Sequence, residues 1–347
     1  MKAAQLYRFD ESLADSELLV LEDVSEPVVE NPTDVIVRIG GAGVCRTDLE
    51  LIKGSWCNQM HMQLPMILGH ENAGWVEEVG SSVKSVQIGD PVIVHPLGGI
   101  DATRRQSIHH WQAQQRGLYP GFNCDGGFAE YMLTEERMLV ILPAHLSPMD
   151  IAPLADAGLT AYSASRKASE YLNPGNCVLV LGVGGVGHIG IQVLRAISAT
   201  EIIAIDKSEA ALDLARQVGA HYTFIADEKY ASKVLALTRW QGVDAVIDFV
   251  GDSVTIERGL SVTRRGGHYF LVGYGGKLSI STLELVISQK SIMGVLGGTL
   301  KELRELITMV DRGLVTLTTR EYSLSEVNWA LKNLIEGRNS GRSVLIP

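Results

Sequence analysis

The chain contains 347 residues, of which 46% are hydrophobic and 20% are charged, and its formal net charge is −10. This length suggests two domains that each bury a core, and the composition is that of a globular chain rather than a disordered one. The negative charge argues against nucleic acid and against an anionic membrane surface as partners.

Other features of the sequence favour a cytoplasmic protein. The four cysteines lack a paired spacing, which is typical of a reducing compartment; they are Cys45, Cys57, Cys124 and Cys177. The N-terminus has no long apolar segment, so we expect no secretory signal. The most apolar stretch, around 178–205, is interrupted by glycines and charged residues, and we therefore expect no membrane span.

The first part of the chain, to about residue 150, is predicted to be rich in strands. Short apolar segments bounded by Gly, Pro or Asp predict strands at 35–39, 73–79, 91–94 and 128–133. The region 96–126 differs, because its segment 103–115 is rich in Arg, Gln and His. We interpret this segment as an excursion at the surface.

Beyond this point the pattern changes to strands that alternate with helices. The predicted strands are 178–181, 201–205, 244–250, 268–273 and 292–296. The predicted helices are 186–198, 208–218, 228–239 and 253–264. Such alternation favours a parallel, doubly wound sheet. Amphipathic patterns then predict helices at 300–312 and 324–336, and a last strand is predicted at 343–346.

A glycine-rich loop follows the first strand of this second part. Gly182, Gly184 and Gly187 fit the Gly-x-Gly-x-x-Gly pattern, which allows a tight turn, close approach of a pyrophosphate and packing of helix on strand. Asp206 ends the next strand, where a carboxylate is expected to bind a ribose 2′-hydroxyl. Because it would repel a 2′-phosphate, NAD is favoured over NADP, although Lys207 weakens this preference. The alternative is a structural glycine turn with a solvated Asp206.

Three candidate metal ligands lie in loops that are far apart in the sequence. Cys45 is in Cys-Arg-Thr-Asp, His70 in Gly-His-Glu, and Asp156 in Ala-Asp-Ala-Gly. Each alone has an ordinary explanation, since a lone cysteine is usually a small core residue. Their spacing does not establish that they meet.

At these motifs, and over nearly its whole length, the sequence resembles the zinc-dependent medium-chain alcohol dehydrogenases, and most closely the bacterial and archaeal branch that acts on secondary alcohols. The most specific motifs are Gly-His-Glu-x-x-Gly at 69–74, then Cys-Arg-Thr-Asp at 45–48, and the glycine loop at 182–188. The resemblance implies an α/β fold in which a strand-rich GroES-like catalytic domain is joined to a Rossmann domain with a doubly wound parallel sheet. The implied boundaries are 1–153 for the catalytic domain, 154–298 for the NAD-binding domain, and 299–347 for a segment that returns to the catalytic domain.

Carried over by position, the resemblance implies one catalytic zinc held by Cys45, His70 and Asp156. Asp156 stands where many members have a second cysteine, and aspartate is a normal zinc ligand with the same formal charge as thiolate. Glu71 resembles the family's alternate zinc ligand, and Asp48 resembles the acid that orients the ligating histidine. The alternative is a core cysteine with two surface acids.

The resemblance also implies a proton relay and sites for cofactor and substrate. Thr47 matches the hydroxyl that takes the alcohol proton, and Glu50, which stands where the family often has a histidine, is either the outer end of this relay or a surface acid. Arg46 and Arg342 match positions at the pyrophosphate of the cofactor, and Asp206 and Lys207 match positions at the ribose. The glycine loop contributes Gly182, Gly184, Gly185 and Gly187. The residues matched to positions that face the nicotinamide are Thr160, Val186, Val272 and Leu296, and Phe249 is a further cofactor-binding candidate. The residues matched to the wall of the substrate pocket are Trp56, His95, Tyr119 and Leu296. For most of these, packing in the core or a solvated surface position is the alternative.

One departure from the family is large. Many members have a lobe whose four closely spaced cysteines bind a structural zinc, whereas the corresponding region here, 96–125, contains only Cys124. A four-cysteine site cannot form, so we expect a single zinc per subunit. His109 and His110 match no metal-binding motif, and we interpret them as loop residues.

The implied function is the reversible oxidation of a small-molecule alcohol, preferably a secondary one, to a ketone or aldehyde, with zinc as Lewis acid and NAD as hydride acceptor. Alternatives are a polyol or sugar dehydrogenase of the same superfamily, the zinc-free quinone reductase branch, and a non-catalytic dinucleotide-binding relative. The intact ligand set argues against the last two. The resemblance further implies a homodimer or homotetramer, with the strand at 292–296 as a pairing edge.

Overall fold

The computed structural model describes residues 1–97, 119–339 and 341–347. They form two compact units. The first unit comprises Met1–Leu159, Thr299–Asp311 and Leu317–Pro347, and the second comprises Thr160–Gly298 and Arg312–Thr316. The boundary lies a few residues beyond the predicted one, so that Asp156 belongs to the first unit. The predicted surface excursion at 103–115, with His109 and His110, lies outside the described residues.

The strands of the described residues are β1 (Lys2–Leu6), β2 (Val20–Asp23), β3 (Asp34–Val44), β4 (Met66–Ile67), β5 (Glu71–Val79), β6 (Pro91–Val94), β7 (Tyr131–Glu135), β8 (Leu139–Ile141), β9 (Cys177–Leu181), β10 (Glu201–Asp206), β11 (Tyr222–Ile225), β12 (Val243–Asp248), β13 (Thr263–Leu271), β14 (Ser291–Gly294), β15 (Thr319–Ser323) and β16 (Arg342–Ile346). The helices are α1 (Arg46–Ile52), α2 (Cys57–Met60), α3 (Pro148–Ile151), α4 (Ala157–Ser169), α5 (Gly187–Ile197), α6 (Glu209–Gln217), α7 (Tyr230–Leu237), α8 (Ser253–Val262), α9 (Thr282–Ser288), α10 (Leu300–Asp311) and α11 (Val327–Ile335). Short 3-10 helices occur at Glu136–Met138, Ala152–Ala155 and Leu324–Glu326.

The first unit is built on β3, which pairs with β5, β7 and β16. The sheet has the order β15-β16-β3-β5-β6-β8, with β7 also bound to β3, and a smaller sheet has the order β2-β1-β4. Ten of the eleven residues of β3 are buried, and Arg38 is the exception. Such a continuous apolar and glycine-rich strand fits a position inside the sheet, where both faces are covered.

The second unit contains a parallel sheet with the order β11-β10-β9-β12-β13-β14. Val178 and Val180 of β9 pack into one apolar cluster, whereas Leu179 and Leu181 pack into another. Because successive side chains of a strand point to opposite faces, both faces of this sheet are covered. The strand order is that of a doubly wound Rossmann fold, in which ligands bind at the carboxyl ends of the strands where the order reverses, here between β9 and β12.

The predicted alternation of strands and helices in the second unit is confirmed, but some elements differ from the prediction. The strand predicted at 128–133 begins at Tyr131, because the backbone of Phe128 is hydrogen-bonded to that of Leu68 and Ala4 instead. The strand predicted at 292–296 is β14, which ends at Gly294. From α4 to β14, the elements that were not predicted are α4, β11 and α9. Helix α4 is built largely of Ala, Ser and Gly, so it lacks the apolar contrast that marks an amphipathic helix.

None of the helices in the described parts of the chain is long and apolar enough to cross a membrane.

Candidate active site

The three predicted metal ligands meet in the first unit, although they come from separate segments. Cys45 follows β3 and begins α1, His70 immediately precedes β5, and Asp156 follows the 3-10 helix that ends at Ala155. Cys45 Sγ lies 3.8 Å from Asp156 Oδ2, and His70 Nε2 lies 3.5 Å from the same oxygen. With Glu71 they form a group whose candidate ligand atoms all lie within 4.8 Å of one another.

This donor set fits a zinc ion. A thiolate, an imidazole and carboxylates are the groups that bind zinc in proteins, and three such ligands are typical of a catalytic site. His70 is 1% exposed, and within the part of the chain that the structure describes neither of its ring nitrogens makes a well-formed hydrogen bond, although Nδ1 faces Asp48 and Nε2 faces Asp156. A buried nitrogen in this state is available to a metal, since unsatisfied polar atoms are otherwise rare in protein interiors.

Asp48 connects two of the candidate ligands. Its Oδ2 accepts a hydrogen bond of 2.7 Å from the backbone N–H of Cys45, and its Oδ1 lies 3.1 Å from Nδ1 of His70. Burial lowers the pKa of the His70 imidazole, but the neighbouring carboxylates and thiol raise it by more, so that it lies well above its usual range. Because only the neutral imidazole binds a metal, occupation of this site by zinc would depend on pH.

Glu71 is held by a buried cation. Its carboxylate accepts two hydrogen bonds from the guanidinium of Arg342, one of them 2.9 Å long between Nε and Oε2, and a third of 3.0 Å from the backbone N–H of Ala157. Burial raises the pKa of Glu71, and the charge of Arg342 opposes this. In β3, Gly43 lies opposite Glu71, and a Cβ there would fall 2.0 Å from Oε2. Glycine is therefore required for this carboxylate to fit.

The residues that follow Cys45 have different surroundings. Arg46 is exposed and Thr47 is half-buried at the start of α1. The carboxylate of Glu50 accepts hydrogen bonds of 2.9 Å from Lys53 and 3.1 Å from Ser55. Both oxygens of Glu50 are thus hydrogen-bonded to residues just beyond the C-terminal end of the same helix. The predicted relay role of Thr47 and Glu50 remains a prediction.

An aromatic side chain packs against the imidazole of His70. The ring of Phe122 lies 4.8 Å from that of His70 and 6.5 Å from that of Trp56. Tyr119 and Phe122 are both buried in the core of the first unit, and Trp56 packs against this core. Phe122 was not predicted. The predicted wall residue His95 is 4% exposed, and its Nδ1 accepts a hydrogen bond of 3.2 Å from the backbone N–H of Leu97.

The glycine loop has the geometry that its sequence indicates. Gly182 has a φ of 86°, which favours glycine at this turn. A Cβ on Gly187 would lie 1.9 Å from the carbonyl oxygen of Gly182, so only glycine allows α5 to approach β9 this closely. A Cβ on Gly184 would meet no atom within 4 Å, so its surface is open. Gly185 and Val186 complete the loop, and Val186 caps α5.

Asp206 lies beside this loop at the end of β10. Its Oδ2 accepts a hydrogen bond of 2.7 Å from the backbone N–H of Val183, and its Oδ1 accepts one of 2.9 Å from that of Ser208. The carboxylate is half-buried and the next side chain, Lys207, is exposed. The acidic side chain is therefore fixed at the carboxyl edge of the sheet, as in dinucleotide-binding folds.

The other residues matched to the cofactor lie in the second unit, apart from Arg46 and Arg342. Phe249 and Val272 are half-buried against the core, and Thr160 is half-buried in α4. Leu296 is 60% exposed and follows β14, so it is not a core residue. Arg342, matched to the pyrophosphate, is buried and bound to Glu71. The cofactor roles of these residues remain predictions.

Comparison with known proteins identifies the family. Residues 31–144 match the alcohol dehydrogenase GroES-like domain, and residues 185–312 match the zinc-binding dehydrogenase domain. An NAD-dependent alcohol dehydrogenase of Sulfolobus acidocaldarius is 36% identical over 353 residues, which cover 99% of this chain and 99% of the relative. The chain belongs to the zinc-dependent medium-chain alcohol dehydrogenases. The predicted family, its fold class and its chemistry as an oxidoreductase with zinc and NAD are thereby confirmed.

Two further relatives define the range of the similarity. An alcohol dehydrogenase of Aeropyrum pernix, known from a crystal structure, is 40% identical with a TM-score of 0.91, and each chain covers 100% of the other. A D-arabinose 1-dehydrogenase (NADP⁺) of Saccharolobus solfataricus is 35% identical over 353 residues, which cover 100% of this chain and 97% of that protein. The similarity thus includes alcohol and sugar dehydrogenases at almost equal identity.

Proposed function

We propose that this chain catalyses the reversible, NAD-dependent oxidation of a secondary alcohol to a ketone at a single zinc site. The observation that carries the proposal is the convergence of Cys45, His70 and Asp156, with Glu71, in one buried group. Three ligands leave a position open for substrate, which distinguishes a catalytic zinc site from a closed structural one.

When bound, zinc supplies Lewis acidity to the alcohol or carbonyl oxygen and NAD accepts or returns the hydride. Cys45, His70 and Asp156 hold the metal, and Asp48 keeps the His70 ring oriented through Nδ1. Thr47, in the turn after Cys45, takes the proton of the substrate hydroxyl. Glu71 is the alternate ligand, and its ion pair with Arg342 controls when its carboxylate is free to bind.

Asp206 supports NAD rather than NADP as the preferred cofactor. The two hydrogen bonds from Val183 and Ser208 fix its carboxylate at the edge of the sheet, where the charge would repel a 2′-phosphate. Arg46, Arg342 and the N-terminal end of α5 are the candidate pyrophosphate contacts. The exposed Lys207, next to Asp206, would favour a phosphate.

The surroundings of His70 support an uncharged and fairly apolar substrate. The ring of Phe122 lies 4.8 Å from the imidazole, Trp56 lies beyond it at 6.5 Å from Phe122, and Tyr119 is buried in the same core. A polyol or sugar would require several polar partners in such a pocket, because each buried hydroxyl needs a hydrogen bond. The sugar dehydrogenase of Saccharolobus solfataricus, at 35% identity, keeps this second candidate open to test.

The proposal is tested by metal analysis of the purified protein together with NAD reduction on a panel of secondary alcohols, primary alcohols, polyols and aldoses. We expect about one zinc per chain and the highest kcat/KM with a secondary alcohol. A higher kcat/KM with an aldose would change the proposed substrate class from a secondary alcohol to a sugar, and the proposed zinc- and NAD-dependent oxidation would stand. Binding of NAD without zinc and without turnover would contradict the proposal and favour a non-catalytic relative.

We also propose that two copies pair through β14 and α9. In the described residues β14 is at the edge of its sheet, and α9 has no buried residue. Leu283, Val286 and Ile287 of α9 are 68%, 72% and 62% exposed. An edge strand beside an exposed apolar face fits a dimer interface. Light scattering should give a dimer, or a tetramer made of two dimers, and Val286→Glu should separate the two copies that pair through this surface.

A cytoplasmic location completes the proposal. All four cysteines are free, in agreement with a reducing compartment. Cell fractionation with a marker enzyme of the cytoplasm tests this location.

A further inference from the structure

Asp248, the last residue of β12, binds the loop that follows it. Its side chain is 0% exposed, although it is the last residue of an interior strand and lies at the carboxyl end of the sheet. Oδ1 accepts hydrogen bonds of 2.8 Å from the backbone N–H of Val250 and 3.0 Å from that of Gly251, and Oδ2 accepts one of 2.7 Å from the hydroxyl of Tyr269. One buried carboxylate therefore holds two loop amides and a side chain of the next strand.

The backbone of Asp248 holds a second loop, the one that follows β13. Its carbonyl oxygen accepts hydrogen bonds of 2.9 Å from the N–H groups of both Val272 and Gly273. The loops after β12 and β13 are thus both attached to this residue. Because β12 lies next to β9 at the point where the strand order reverses, these loops border the crevice in which doubly wound sheets bind dinucleotides.

The same two loops are in close contact with each other and with the glycine loop. A Cβ on Gly182 would lie 2.8 Å from Val250 Cγ2, and a Cβ on Gly251 would lie 2.0 Å from the backbone carbon of Gly273. The three segments are in van der Waals contact, so a displacement of the loop at 249–251 would displace its neighbours as well.

We propose that Asp248 is a positioning residue for NAD, which acts by fixing the loops at 249–251 and 272–273 in their binding conformation. This proposal rests on the proposed NAD-dependent function. The loops carry Phe249 and Val272, whereas Asp248 itself is buried beneath them and makes no contact with the cofactor. A loop that is ordered before binding loses less conformational entropy when the ligand arrives, and this raises affinity.

The chain offers a matched control in Asp244, which lies on the same strand at its opposite end. Asp244 accepts a hydrogen bond of 2.8 Å from the backbone N–H of Cys177 and one of 2.7 Å from Arg264. Asp244→Ala thus removes a partly buried carboxylate with similar bonds, far from the carboxyl edge. Comparison of the two alanine variants separates an effect on NAD from a general loss of stability.

The experiment measures NAD affinity by fluorescence titration, and KM for NAD and for alcohol by kinetics, in the zinc-loaded enzyme. We expect Asp248→Ala to raise the Kd of NAD by about ten- to a hundredfold, because the loop at 249–251 loses both of its hydrogen bonds to the carboxylate and must then be ordered on binding. Zinc content and the KM for alcohol should stay near those of the wild type. Asp248→Asn, which keeps an acceptor for both loop amides, should restore the Kd to within about threefold.

Tyr269→Phe provides a milder variant if Asp248→Ala does not fold. It removes one of the three donors to the carboxylate and should raise the KM for NAD severalfold at nearly constant kcat. The proposal is overturned if Asp248→Ala, or Tyr269→Phe in its place, binds NAD like the wild type. It is also overturned if Asp244→Ala weakens NAD binding as much as Asp248→Ala does. A wild-type enzyme that binds no NAD would instead overturn the proposed function.

Discussion

The buried ion pair between Glu71 and Arg342 allows a quantitative test of the electrostatics of the site. The side chain of Glu71 is 0% exposed and that of Arg342 is 7% exposed. Arg342→Met keeps much of the length of the side chain but removes its charge and both of its hydrogen bonds to the carboxylate. Glu71 then retains the backbone N–H of Ala157, 3.0 Å away, as a donor.

We expect Arg342→Met to lower the free energy of unfolding by about 3–5 kcal/mol, because it leaves a buried charge without its partner. The double variant Glu71→Met with Arg342→Met replaces the whole pair with apolar groups. Since such replacements are often neutral or stabilising, the double variant should recover most of the loss. The single variant should therefore have a lower free energy of unfolding than the double variant, although the double variant loses more polar contacts.

The assay is urea unfolding of the zinc-free protein, followed by fluorescence and circular dichroism. Arg8→Met is the matched control, since Arg8 pairs with Asp15 at 2.8 Å but is 78% exposed. An exposed pair contributes about 1 kcal/mol or less, so this control should unfold nearly as the wild type does. Equal stability of the Arg342→Met and Arg8→Met variants, or no recovery in the double variant, would refute the reasoning.

Three further predictions concern the metal and the cofactor. Asp156→Ala should lose zinc and turnover while NAD still binds, whereas Asp156→Cys should keep zinc, as measured by metal analysis and titration. Asp206→Ala should weaken NAD about 10–100-fold, through loss of hydrogen bonds to a charged group, and should weaken NADP less. Gly187→Ala should destabilise the protein by about 3 kcal/mol or more, because its Cβ would lie 1.9 Å from a carbonyl oxygen. Gly184→Ala should leave folding unchanged, because open space surrounds it, and weaken NAD binding instead.

Each of these predictions has an outcome that contradicts it. Unchanged turnover in the Asp156→Ala variant would remove Asp156 from the zinc site. Equal losses of NAD and NADP in the Asp206→Ala variant would exclude a role at the ribose. If Gly184→Ala unfolded as readily as Gly187→Ala, or bound NAD normally, the assignment of one glycine to packing and the other to the pyrophosphate would be wrong.

Local sequence patterns predicted the second unit well. In strands β9 and β10 and helix α5, the apolar periodicity, the glycine loop and the turn signals all indicate the same structure. The prediction was poorer for α9, because its apolar residues face outward in the described structure and no buried stripe marks the helix. The prediction was also poorer for β7. Its start depends on hydrogen bonds that the backbone of Phe128 donates to Leu68 and accepts from Ala4, both far away in the sequence.

The contacts within the active site were less predictable than the ligands themselves. The chemistry of Cys45, His70 and Asp156 indicated zinc, because few other residue types bind it. The partner of Glu71 was not predicted, since Arg342 lies 271 residues away in the sequence. Phe122 was missed because its neighbours in the chain carry no metal-binding motif. Contacts of this kind depend on the register of strands, and no local pattern reports them.

The charges at the site explain why aspartate can stand in place of a second cysteine. Four acidic groups converge there, namely Cys45, Asp48, Glu71 and Asp156, and the one permanent cation among their described partners is Arg342. With all four ionised and His70 neutral, the sum of the charges is −4 + 1 = −3, which is unfavourable in a largely buried site. A divalent zinc reduces it to −1, and an aspartate contributes the same charge to this balance as a thiolate would. The fit of zinc to this chain therefore depends on the number of buried negative charges as well as on the donor atoms, and the charge of Arg342 favours the ionised form of Glu71 against the effect of burial.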